Sequence, residues 1–295
     1  MLIDLRTLTA PQKQQWLQHA IAPRPIAFAS TMNAAGNVNL SPFSFFNLFS
    51  SQPPIVIFSP SRRVRDNSTK HTLDNVLAVP EVVINIVDFD MVHQTSLSSC
   101  EFPAGVNEFQ KAGFTMETSL EVKPPRVKES KIQMECRVLE VKPLGDKGGA
   151  GNLVICEVVL MHVHDNILND GATMIDQKKI QHVARLGGDW YCKVDHHSLF
   201  HVAKPNTELG IGIDSLPAPL RQSRILTGNH LGQLANVQTV PEIDAAFHDG
   251  RFKDIVQYFS ANPDDMETEL HRYAAELLDQ GKVGDAWQIL LASGY

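Results

Sequence analysis

The spacing of apolar residues changes once along this chain, and that change limits the folds open to it. Up to about residue 205 they come in short runs or at every second position, and from 241 onward they recur every three or four. A period of two belongs to strands and one near 3.6 to helices, so a single layer of either kind is excluded.

Residues 26–31, 55–59, 82–87, 132–141 and 153–163 are rich in Val, Ile, Phe and Leu and are separated by Gly, Pro, Asn and Asp, which predicts strands. Ile132, Met134, Cys136 and Val138 alternate with Gln133, Glu135 and Arg137, the pattern of a strand with one wet face. Glycine-bearing segments at 33–37 and 145–151 predict hairpin loops, hence an antiparallel sheet. Helical patterns fall at 10–20, with Pro11 in the first turn, and at 70–79, 91–99, 108–113 and 176–186. The expected fold is mainly β with α: a barrel with short helices over its openings. After 241, Ile243, Ala246 and Phe247, then Phe252 and Ile255, then Leu270, Tyr273, Ala274, Leu277 and Leu278, then Ala286, Ile289 and Leu290 predict about four short helices.

Of the 295 residues 43% are hydrophobic and 20% charged, which excludes a disordered, collagenous or coiled-coil chain. No apolar run approaches the roughly 20 residues of a membrane span, and the N-terminus lacks a basic stretch followed by an apolar one, so a soluble cytoplasmic protein without membrane contacts is expected. A net charge of −7 argues against a nucleic-acid partner. Cys100, Cys136, Cys156 and Cys192 are far apart and read as reduced thiols. His162 and His164 before Asp165, and His196, His197 and His201, invite a metal, but no further ligand is fixed by spacing, and ordinary surface histidines are the preferred reading.

No G-x-G-x-x-G, Walker loop, G-x-S-x-G or H-E-x-x-H motif is present, which leaves a dinucleotide domain or a hydrolase with little support. Instead, hydroxyls and amides crowd between aromatic and aliphatic residues in Pro23-Arg24-Pro25-Ile26-Ala27-Phe28-Ala29-Ser30-Thr31, in residues 36–47 and in Ser50-Ser51-Gln52-Pro53-Pro54. A flat heteroaromatic ligand needs this mixture; a Ser/Asn-rich loop feeding a core strand fits it equally. Arg62, Arg63, Arg65 and Lys70 precede a helix start at residues 69–72, where amides, hydroxyls and Lys70 could hold a phosphate, or where a Thr could simply cap a basic turn.

Together these segments resemble the flavin reductase-like family with the FMN-binding split barrel, the flavoredoxin-like group. The resemblance rests on Arg24-Pro25-Ile26-Ala27 with Ser30-Thr31, on Asn39-Leu40-Ser41-Pro42-Phe43-Ser44-Phe45-Phe46-Asn47, on Ser51-Gln52-Pro53-Pro54 and on Lys70-His71-Thr72-Leu73-Asp74-Asn75. It continues through Glu108-Phe109, Ala112-Gly113-Phe114, Glu129-Ser130, Glu135-Cys136 and Arg185-Leu186-Gly187-Gly188 with Tyr191. It implies FMN held at a homodimer interface, with Ser30, Thr31, Lys70, His71 and Thr72 around the phosphate and ribityl chain. Ser41, Ser44, Phe45, Asn47, Ser50 and Ser51 would lie along the isoalloxazine, with Arg185 near it from the partner subunit. The family commonly has an acidic residue where this chain has His71.

The implied activity is hydride transfer from NADH or NADPH to flavin N5, with electrons passed to free flavin or to a partner such as an oxygenase, and no dedicated catalytic acid or base. The alternative is a non-catalytic FMN-binding module or flavodoxin-like electron carrier with a helical interaction tail. The expected division is a barrel over 1–205, a family extension over 206–240 and a helical tail over 241–295 that FMN binding does not need.

Overall fold

Ile26, Phe28 and Ala29 read as a continuous apolar run because the first strand is covered on both sides. In the computed structural model, which describes residues 1–204 and 209–292, β1 (Ala27–Met32) has Ala27, Phe28, Ala29, Ser30 and Thr31 all buried. A strand buried on both faces loses the alternation of a half-wet one.

The chain divides into two units, Met1–Phe200 and His201–Tyr295. In the first, α1 (Ala10–Ala20) leads into β1. Then come β2 (Val38–Phe43), β3 (Phe46–Ser51), β4 (Pro54–Phe58), α2 (His71–Ala78), β5 (Glu81–Ile86), α3 (Val92–Leu97) and α4 (Glu108–Ala112). The unit continues through β6 (Met116–Glu117), β7 (Arg126–Val127), β8 (Ile132–Pro143), β9 (Asn152–Val163), β10 (Val183–Arg185) and β11 (Tyr191–Lys193). Seven strands form one sheet in the order β2-β1-β5-β8-β9-β4-β3, antiparallel throughout.

The sheet curls upon itself. Ala27 and Ala29 of β1, Phe43 of β2, Phe58 of β4, Ile84 of β5 and Cys156 of β9 share one core with Leu73 and Val76 of α2. Phe43 and Phe58 bring their ring centroids to 5.4 Å, drawing the two ends of the sheet together. A second core lies on the other face of β1, where Phe28 and Leu40 meet Met91, Phe109 and Phe114 beneath α3 and α4. Fully burying a Phe of this kind stabilises by about 1.5–3 kcal/mol. The hairpin loops at 33–37 and 145–151 are present, with Gly36 and Gly149 at φ 86° and 89°.

Two helical expectations fail. Residues 176–186 form a turn followed by β10, which pairs with β11; Ile180 packs with Ile132 and Ile167, whereas Val183 joins the Phe28 core, so their spacing serves two clusters rather than one helix face. Residues 241–249 hold only a turn, so Ile243, Ala246 and Phe247 do not form a helix.

In the second unit, α5 (Ala218–Arg221) and α6 (Gly228–Ala235) precede α7 (Gly250–Tyr258), α8 (Pro263–Asp279) and α9 (Val283–Leu291). Leu216, Leu220 and Leu234 share one core with Leu270, Tyr273, Leu277, Trp287 and Ile289, so packing runs across the division expected at 240/241. Among the described residues, no helix is long and apolar enough to cross a membrane.

Candidate functional site

The first turn of α2 opens on a small, polar, solvent-open cleft. Its walls are Asn39 and Ser41 from β2, Arg63 from the basic loop, Lys70, His71 and Thr72 at the helix start, residues 98–102 after α3, and Glu108 of α4. Lys70 is the N-cap, a place where Ser, Thr, Asp or Asn is favoured, and no side chain caps the helix there. A cation at the positive end of a helix is unfavourable unless an anion joins it. Burial, followed by the charge of Arg63, pushes the Lys70 ammonium below its usual range even though Glu101 lies near. This arrangement opposes stability and suits an incoming phosphate.

Hydroxyls behind the cleft are oriented by amides. Asn39 Nδ2 donates to Thr72 Oγ1 at 2.9 Å, and Asn75 Nδ2 donates to Thr31 Oγ1 at 3.1 Å. A hydroxyl that accepts still has its own proton to give. Glu108, buried on the far wall, accepts the Leu40 N–H at 3.1 Å; burial raises its carboxyl above the usual value, partly offset by that amide and by neighbouring His71.

The loop that carries Arg63 is fixed from outside. The tip of the β8–β9 hairpin binds it through Arg62 N–H to Ala150 O (2.8 Å), Gly149 N–H to Arg62 O (3.0 Å) and Asn67 Nδ2 to Asp146 O (2.9 Å). A Cβ on Gly148 would lie 2.9 Å from Val64 O, so only glycine allows this approach.

Of the anticipated residues, Ser41, Lys70, His71 and Thr72 line the cleft. Thr31 stands behind it through Asn75. Ser30, adjacent on the strand, shares the opposite face with Phe28; its hydroxyl is fully buried with no hydrogen-bond partner among the described residues. Ser44, Phe45, Asn47, Ser50 and Ser51 lie away from the cleft, at the β2–β3 corner and along β3, the sheet edge. Phe45, Leu48 and Phe49 are exposed there by 42%, 64% and 63%. Arg185 lies on β10, its guanidinium 4.5 Å from the Tyr191 ring and donating to Gly188 O at 2.7 Å.

Residues 98–102 were not singled out from sequence, although Ser98-Ser99-Cys100-Glu101 is a polar run directly after a helix. Arg24, within the motif, is a scaffold: its buried guanidinium donates to Gln18 O and Ile21 O at the end of α1, each at 2.5 Å, and to Leu186 O at 2.6 Å. His162 Nε2 lies 2.6 Å from Glu135 Oε1, and Glu135 also accepts the Leu120, Glu121 and Val122 amides. Burial would raise the Glu135 carboxyl, but these donors hold it below the usual range. Among the described residues, no three His, Cys, Asp or Glu side chains gather as a metal would require.

The curled seven-stranded antiparallel sheet, packed on α2 at one face and on α3 and α4 at the other, has the split-barrel fold of flavin reductases. The sequence matches the flavin reductase like domain over residues 19–183, and the chain belongs to that family. An uncharacterized protein of Aquifex aeolicus is 39% identical over 173 residues, which are 59% of this chain and 85% of that one. The crystal structure of nitrilotriacetate monooxygenase component B from Bacillus cereus superposes with a TM-score of 0.63 at 29% identity, covering 68% of this chain and 98% of that one. Flavoredoxin of Desulfovibrio vulgaris shares the fold, with a TM-score of 0.53 at 18% identity over 70% of this chain and 98% of its own.

Proposed function

We propose that the protein is an FMN-dependent reductase that takes a hydride from NADH or NADPH and passes the electrons to free flavin or to a partner protein, acting as a homodimer. The observation that carries this reading is Lys70 at the uncapped start of α2, beside Arg63 and the cleft hydroxyls, a donor set that fits a terminal phosphate. When bound, the flavin supplies the redox chemistry, accepting a hydride equivalent at its ring system and releasing it as electrons.

The chain's own residues bind and orient. Lys70, His71, Thr72 and Ser41 would hold the phosphate and ribityl end, Thr31 would act through Asn75, and Ser30 would stand on the far side of its strand. Ser44, Phe45, Asn47, Ser50 and Ser51 would border the ring, with Arg185 contributed by a second copy. The exposed Phe45, Leu48 and Phe49 on the sheet edge are the apolar surface a second barrel would cover. Similarity to an oxygenase component supports an oxygenase as the electron acceptor.

The test is the visible spectrum of the purified protein under anaerobic conditions, before and after NADH or NADPH. Bleaching of bound flavin is expected, and persistent yellow colour would instead mark a carrier or binding module. Light scattering that shows a monomer binding FMN tightly would remove the dimer from the reading.

A further inference from the structure

Three of the four cations before α2 converge on one carboxylate. Glu101 Oε1 accepts from Arg63 Nε at 3.0 Å, Oε2 accepts from Arg65 at 3.0 Å, and Lys70 Nζ lies 3.9 Å from Oε1. Arg62 is engaged elsewhere, with Asn67. Glu101 sits on the segment after α3 that lines the cleft, and its side chain is 44% exposed, so it can leave its partners for water without crossing a packed core. Arg65 also donates to Asp66 Oδ2 at 3.3 Å, so without Glu101 it is Arg63 and Lys70 that would face each other with no carboxylate paired to them among the described residues, beside the positive end of α2.

We propose that Glu101 is a built-in stand-in for the ligand phosphate, paired with the phosphate-binding cations when the cleft is free and displaced when the phosphomonoester of FMN enters. This rests on the reading of the cleft as the FMN phosphate site. A carboxylate carries one negative charge and a phosphomonoester between one and two, so the phosphate wins the exchange, by less than it would against unpaired cations. Binding is then a swap of one anion for another, which lowers affinity and eases release. FMN then leaves faster than it would from cations that had no other anion to return to.

The test compares FMN with riboflavin, which lacks the phosphate, in the full-length wild type and in Glu101→Gln. Freeing the cations should tighten FMN binding about five- to tenfold at low salt, with the gain shrinking as salt screens the charges. FMN dissociation should slow in stopped flow, riboflavin affinity should stay unchanged, and Glu101→Asp should return the FMN-to-riboflavin ratio toward wild type. Weaker or unchanged FMN binding in Glu101→Gln would overturn the proposal, showing Glu101 to be a scaffold for the arginines. An equal gain for riboflavin would overturn it as well. If the wild type binds neither flavin, the phosphate reading itself fails and this proposal with it.

Discussion

Asn39 Nδ2 donates to Thr72 Oγ1 at 2.9 Å, joining β2 to the first turn of α2 where both side chains are buried. The bond uses a lone pair of Thr72 and leaves the hydroxyl proton for a ligand. Thr72→Val should therefore lose the donor and strand the Asn39 amide, costing about 1–3 kcal/mol of stability in denaturant unfolding together with weaker FMN binding. Thr72→Ser should keep both, and equal behaviour of the two variants in a flavin titration would show that the hydroxyl does not reach the ligand.

Lys70 lines the cleft from the N-cap of α2. Lys70→Ala should weaken FMN binding by about 1.5–3 kcal/mol, the range for a charge-assisted hydrogen bond, and leave riboflavin binding nearly unchanged. Removing a desolvated cation from the start of α2 should also leave the fold no less stable by thermal melting.

Arg24 tests the opposite role. Its guanidinium holds Gln18 O, Ile21 O and Leu186 O at once. Arg24→Lys offers a point charge in place of a planar fork and should cost about 2–4 kcal/mol of stability, because buried carbonyls lose their donors. The flavin affinity of the folded fraction should change little.

The distinction between Lys70 and Arg24 shows what the sequence could convey. Both stand in polar motifs, and only the structure reveals that one guanidinium spends itself on backbone carbonyls while the ammonium opens on a cleft. The strands β1, β4, β5, β8 and β9 were legible because their apolar patterns reflect one or two buried faces. β3 was not, since an edge strand with Asn47, Ser50 and Ser51 exposed or half-exposed has the composition of a loop. The cleft was legible at residues 70–72, where helix-start chemistry is local. Glu101 and Glu108 were not read as site residues, because chain folding alone brings them within reach of α2.

Tyr273 provides a pH test in the second unit. Its hydroxyl donates to Asp249 Oδ2 at 2.7 Å, and burial together with that carboxylate pushes its pKa up to about 12. The folded value lies above the ordinary 10, so this contribution to stability is present below pH 10 and is lost as pH rises toward about 12. An ultraviolet titration should show a tyrosine transition near pH 12, and Asp249→Asn should bring it down. A titration curve that Asp249→Asn leaves unchanged would contradict this.

The cluster that joins Leu216, Leu220 and Leu234 to Leu270, Trp287 and Ile289 decides where the chain can be shortened. Stopping at Thr239 would leave the first three leucines facing water, each an apolar surface worth about 25 cal/mol per Å² in search of cover. Stopping at Phe200 removes that cluster whole. The longer fragment, although it keeps more of the protein, is the one that should precipitate, and the shorter one should stay dissolved and yellow.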